Sequence, residues 1–175
     1  MLRQKNENLN GLVAKTLKEL ANRSNDELTK SLFVIAASTQ VPKCVFDKEL
    51  YMPIAPEPGC TNLSCYENLP IVLTVGALDD QMKGLRPETR YAENRRILAA
   101  PGTRLFSADV DEVGLGFRFR SGSSQATAIV TSLAARLASH YSFLSAQQLK
   151  QRLIGTASPP KVDELPITYG KVDAI

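Results

Sequence analysis

The chain has 175 residues, 43% of them hydrophobic and 22% charged, enough for one globular domain with a single sizeable core; a disordered, collagen-like or small disulfide-knot chain is excluded. Its 21 Lys and Arg against 18 Asp and Glu leave a formal charge of +3, too small and too dispersed to point to a nucleic-acid partner. The apolar run Leu32 to Ala37 falls far short of the roughly 20 residues of a membrane helix. Met1 to Asn10 is polar and lacks the apolar stretch of a secretory signal, so no membrane partner is expected and the compartment stays open.

From Leu9 to Ala21 the residues Leu9, Leu12, Val13, Leu17 and Leu20 recur with helical spacing, and Asn10 is placed to cap the helix they predict. Leu32 to Ala37 is short, rich in β-branched and aromatic residues and apolar on both faces, the pattern of a strand buried between helical layers. Ser38 to Pro70 reads as a long irregular connection with Pro42, Pro53, Pro56, Pro58 and Pro70. All three cysteines, Cys44, Cys60 and Cys65, fall in it. Their odd count leaves at least one thiol unpaired within a monomer, and a loop disulfide and three thiols without a role both remain open. Spacings of sixteen and five with no histidine nearby do not supply a tetrahedral zinc set.

Ile71 to Ala77 reads as a second buried strand, and Asp79 to Arg96 as turns with a solvated face. There Arg86, Arg90, Arg95 and Arg96 alternate with Glu88 and Glu93, which argues against a specific anion site. Ile97 to Ala100 is a third short strand, ended by the turn signal Pro101-Gly102. Val113 to Arg120 sets Phe117 and Phe119 on one face and Arg118 and Arg120 on the other, as a half-exposed strand does. Gly114 and Gly116 suit a hairpin or a close backbone approach rather than a phosphate loop, because no helix start follows at the needed spacing. After Gly122 the residues Ala126, Ile129, Val130, Leu133, Ala134, Leu137, Ala138 and Tyr141 form one helical stripe, predicting a buried helix. Its successor opens on the capping box Ser145/Gln148 with Leu144 and Leu149 spaced as a hydrophobic staple, and Gly155 lies where a helix stops. A proline-containing tail runs from Ser158 to Ile175.

The junction Arg120-Ser121-Gly122-Ser123-Ser124-Gln125-Ala126 passes from a strand through a small-residue turn into a helix. A serine there sits beside unpaired backbone N–H groups at the positive end of the helix dipole, and both stabilise an oxyanion. Serine is equally a favoured helix cap, so the junction alone leaves both readings open.

Taken together, the landmarks resemble the carboxy-terminal half of the subtilisin-like serine proteases, the subtilases. The strand Leu32 to Ala37 resembles the one leading to the family's oxyanion residue, and Leu69 to Ala77 (LPIVLTVGA) its Pro-x-Val-x-x-Val-Gly-Ala strand. Leu98 to Gly102 (LAAPG) is similar to the Ala-Pro-Gly turn, and Gly122 to Ala126 (GSSQA) to the Gly-Thr-Ser-Met-Ala nucleophile motif. His140 to Leu153 resembles the helix after the nucleophile helix, and Tyr169 to Ala174 (YGKVDA) the closing segment.

The resemblance implies an α/β fold, a partial three-layer parallel sheet flanked by helices with the amino-terminal part missing. It also implies a single partial domain over 1–175 with an insertion at 38–70 and a tail at 158–175. It implies a serine endopeptidase in which Ser124 attacks a peptide carbonyl, activated by a histidine that an aspartate orients, both expected before Ser124. The only histidine, His140, lies sixteen residues beyond Ser124, on the order of 24 Å along a continuous helix, and is expected to be structural. Thr39 stands where the family places its oxyanion asparagine, and Ala128, Ile129 and Ser132 replace the usual Pro, His and Gly. The expected partners are a protein or peptide substrate and an amino-terminal segment or complementing chain that supplies acid and base. No cofactor is implied; Asp109, Asp111 and Glu112 suit an exposed turn as well as a ligand set and are assigned no metal. The alternative is a catalytically inactive subtilase-like binding or regulatory module.

Overall fold

The computed structural model describes residues 15, 16, 19, 31–37, 44–47, 52–56, 69–86, 89, 96–111, 114–159 and 169–173. In chain order the elements are β1 (Phe33–Ala36), β2 (Cys44–Asp47), β3 (Met52–Pro56), β4 (Val72–Leu78), β5 (Ile97–Pro101), β6 (Leu105–Asp111), β7 (Gly114–Arg120), α1 (Ser123–His140), α2 (Ala146–Gly155) and β8 (Gly170–Lys171).

The sequence of β4 carries apolar side chains on both faces, interrupted only by Thr74 and Gly76, and all seven of its residues are buried. Such a strand needs cover on both sides and pairing on both edges, which the interior of a parallel sheet provides. It lies between β1 and β5 in a sheet of order β1-β4-β5-β8, with every neighbouring pair parallel. Val75 opposes Ala36 on one side and Leu98 on the other, and Leu98 in turn opposes Gly170. The α/β architecture expected from the sequence is therefore present. Among the described residues β1 is the sheet's edge; its residues are half-buried and Ala36 is exposed, where the sequence suggested a fully buried strand.

The core forms where α1 crosses this sheet. Ala126, Val130 and Ala134, four residues apart, are buried against Leu73, Val75, Ala77, Leu98 and Ala100, and Leu153 of α2 completes the cluster. Small side chains on both surfaces let helix and sheet approach closely. The predicted stripe is thus only partly covered: Ile129, Leu133, Leu137 and Ala138 are half-buried, Tyr141 falls just past the helix end and is exposed, and the outer face of α1 is open. For α2 the capping box is present as predicted, the Ser145 side chain accepting from the Gln148 backbone N–H and the Gln148 side chain from that of Ser145. Leu144 and Leu149 are both buried, and Gly155 is the last helical residue rather than the one beyond.

Two predictions are corrected in the connections. The stretch 38–70, expected to be irregular, contains the antiparallel ribbon β2–β3, with its register broken between Val45 and Phe46. Pro53 and Pro56 fit β3 because an edge strand need not donate from every residue. Cys44 begins β2, while Cys60 and Cys65 lie outside the described residues. The second correction concerns 114–120, which is exposed on both faces as half of the β6–β7 hairpin. The predicted helix at 9–21 lies outside the described residues apart from Lys15, Thr16 and Glu19; these are helical, with Lys15 and Glu19 4.0 Å apart. No helix among the described residues is long and apolar enough to cross a membrane.

Candidate active site

The carboxyl ends of β1 and β5 converge on the first turn of α1. After β5 the chain turns at Gly102, whose carbonyl accepts the Gly122 N–H at 2.8 Å. A Cβ at Gly102 would run into the Ala77 side chain and stand 2.9 Å from the Gly122 carbonyl, so this contact admits glycine alone. Gly122 is the N-cap of α1 at φ 152°, a conformation strained for any other residue. The Ser123 hydroxyl then donates to the Ala37 carbonyl at 2.9 Å, across 86 residues of sequence, and ties the helix start to the end of β1.

Ser124, the next residue, is exposed, and its hydroxyl has no hydrogen-bond partner among the described residues. No side chain caps α1, and its first turn holds no acidic residue. The leading backbone N–H groups and the positive end of the helix dipole are therefore available to a negative charge forming beside the Ser124 hydroxyl. An exposed hydroxyl beside uncapped amides can attack a carbonyl and hold the resulting oxyanion, provided a base takes its proton. His140 is not brought to it. The helix runs unbroken from Ser123 to His140, which is exposed in the last turn and lies edge-on to Tyr141 with ring centroids 4.9 Å apart. Thr39 lies outside the described residues.

The turn beneath Ser124 is braced by residues assigned from sequence to a solvated loop. Arg86 donates through Nη1 to the Thr103 hydroxyl at 3.1 Å, and that hydroxyl donates to the Leu78 carbonyl at 2.8 Å. The Arg86 N–H donates to the Ala77 carbonyl, and its own carbonyl accepts from the Thr89 hydroxyl at 2.7 Å. Thr89 is buried. The loop after β4 is thereby fastened to the residue that follows Gly102. The one sequence signal for it was a threonine directly after a Pro-Gly turn.

On the other side of the turn Ser121 accepts the Arg104 N–H at 2.9 Å, and Arg104 itself is held at φ 51°. Of the three acidic residues considered for a metal, Asp109 is engaged by Arg120 at 2.9 and 2.5 Å. The hydrogen bond from Arg120 holds the Asp109 carboxyl below its ordinary range; desolvation opposes it, and the Val110 N–H and the charges of Arg120 and Arg118 add to the lowering. Asp111 closes the hairpin ladder opposite Gly114, and Glu112 lies outside the described residues.

A parallel sheet whose strand ends abut a helix opening on an exposed serine defines a subtilisin-like α/β domain. The sequence model of the subtilase family, a family of serine proteases, matches residues 4–171, and the chain belongs to that family. No curated protein matches it. Among solved structures it is similar to the prenylagaramide maturation protease PagA, at 25% identity and a TM-score of 0.54, over 81% of this chain and 47% of that one. It is similar at 27% identity and a TM-score of 0.55 to a chain of an intact ESX-5 inner membrane complex, over 81% of this chain and 35% of that one. Its likeness to MycP1 with the N-terminal propeptide removed is one of fold, at 23% identity and a TM-score of 0.56, over 81% and 48%. The chain therefore spans less than half the length of each of these structures.

Proposed function

We propose that this chain is the serine-bearing part of a subtilisin-type endopeptidase, with Ser124 as nucleophile, completed by a segment or chain that carries the aspartate and histidine. The observation that supports this most is the exposed Ser124 hydroxyl in the uncapped first turn of α1, beside the end of β1. In the proposed reaction the Ser124 oxygen attacks the substrate's carbonyl carbon while its proton passes to the histidine of the complementing part. The oxyanion is held by the N–H groups that open α1, with Thr39, two residues beyond Ala37, as the candidate second donor. Collapse of the intermediate returns the proton to the leaving amine and leaves an ester on Ser124, which water then hydrolyses. The substrate class is a protein or peptide.

The test is to co-express the chain with the coding region directly upstream of it, or with an Asp- and His-bearing subtilase segment, and to probe with a fluorophosphonate. Labelling at Ser124 that Ser124→Ala abolishes is expected. No labelling in any pairing overturns the reading. One observation favours a second reading, a binding module without catalysis: the only histidine stands at the far end of α1. Specific capture of peptides by a chain that never labels would establish it.

A further inference from the structure

Phe106, Ala108, Val110, Leu115, Phe117 and Phe119 share one face of the β6–β7 hairpin, while Leu105, opposite Arg120, lies on the other. The register sets Phe106 opposite Phe119, Ala108 opposite Phe117 and Val110 opposite Leu115, and directly opposed residues point to the same side of a ribbon. The three rings form one cluster, with centroids 5.5 Å apart for Phe106 and Phe117 and 5.1 Å for Phe106 and Phe119. Ser107, Asp109, Arg118 and Arg120 occupy the opposite face, where the Asp109–Arg120 ion pair closes. Covering the aromatic face therefore leaves that pair in solvent.

This face is open to an unusual degree. Leu115 is 91% exposed, and Phe106, Val110, Phe117 and Phe119 are 62–68% exposed. At on the order of 150–200 Å² per side chain it presents roughly 600 Å² of apolar surface, the upper end of what a monomer shows and close to the ~800 Å² that each partner gives a standard interface.

The shape of the face selects the occupant. Ala108 leaves a notch beside the projecting Phe117, and a shallow groove runs there, lined also by Asp109, Val110, Leu115 and Gly116. Ala108 and Phe117 form the middle pair of the three. A two-fold axis through that pair, parallel to the strands, sets Phe117 of each copy over Ala108 of the other, with Phe106 over Phe119 at one end and Val110 over Leu115 at the other. A knob and its hole side by side on one patch give the self-complementarity that an isologous interface requires. We propose that the aromatic face of the β6–β7 hairpin is a homodimerisation surface, occupied by the same face of a second copy.

Sedimentation velocity on the full chain tests this. A monomer–dimer equilibrium is expected in the micromolar range, weakened about thirtyfold or more by Phe117→Asp and by Phe117→Arg taken singly. An equimolar mixture of the two variants is expected to re-form a dimer, because the introduced charges meet near the axis, a rescue that a folding defect does not give. Leu115→Lys, at the most exposed position, serves as an independent variant, with far-UV circular dichroism reporting the fold of each. A folded wild-type chain that stays monomeric, a dimer that the variants do not weaken, or a mixture that fails to reassociate overturns the proposal. So does a monomer that holds an apolar peptide on this face instead. Should the wild-type chain precipitate, Phe117→Asp is expected to keep it in solution, and equal precipitation of the variant also overturns it.

Discussion

The β4–β5 pair, apolar on both faces, and the β6–β7 hairpin, apolar on one face and charged on the other, meet opposite fates. Both are short strands with several large apolar side chains, yet Val72 to Ala100 contributes fully buried leucines and valines while the hairpin leaves three phenylalanines in solvent. The first pair sits in a sheet under α1; the second has no described element against its aromatic face. Burial is set by what arrives to cover a strand as well as by what the strand is made of. A pattern of alternating apolar residues predicts a face, not its partner.

Substitutions can sharpen this contrast. The largest effect is expected from Leu98→Ala, at about 2–5 kcal/mol of lost stability in denaturant unfolding, since it opens a cavity between β5 and α1. Leu115→Ala deletes an equally large side chain from the hairpin and is expected to change unfolding at monomeric dilution by less than about 0.5 kcal/mol; equal losses at the two leucines would erase the distinction. Gly102→Val is expected to cost about 1–3 kcal/mol or more, because its side chain has nowhere to go between Ala77 and the Gly122 carbonyl. Smaller, at about 1 kcal/mol, is Ser123→Ala, which leaves the Ala37 carbonyl without its donor; raised hydrogen exchange at β1 and the start of α1 is the readout.

The smallest effect lies in the hairpin and depends on pH. The Asp109 carboxyl is held below the ordinary aspartate value, so its contribution is present above that value and lost as pH falls through the lowered one. The hairpin amides of the wild-type chain are expected to lose protection on acidification below this range, and those of Asp109→Asn to show no such step. An identical acid response in both would show that the pair with Arg120 does nothing for the hairpin.

Features governed by neighbours in sequence were legible, and those governed by distant segments were not. The Ser145/Gln148 box spans four residues and could be read directly, as could the apolar runs of β4 and β5, where composition and burial agree. The turn into α1 was legible for a similar reason, since Gly122 and the small residues after it have few other uses before an apolar stripe. The brace of Arg86 and Thr103 was missed because an arginine among glutamates in a turn looks solvated until Thr103, seventeen residues on, is folded against it. The β2–β3 ribbon escaped because five prolines from Pro42 to Pro70 hide two short strands. Half-burial of β1 likewise goes with its place at the edge of the sheet among the described residues, which its own residues do not encode.

The sheet order carries a kinetic consequence. Adjacent strands β5 and β8 join Leu98 to Gly170, and β1 meets β4 across the whole of 37–71, so closure of the sheet must wait on widely separated parts of the polypeptide. Helix α2 and the β6–β7 hairpin need only local encounters. Refolding should therefore show rapid gain of helix and hairpin signals, followed by slow consolidation of the parallel ladder, and during that interval both aromatic and aliphatic strands stand open to the wrong neighbours.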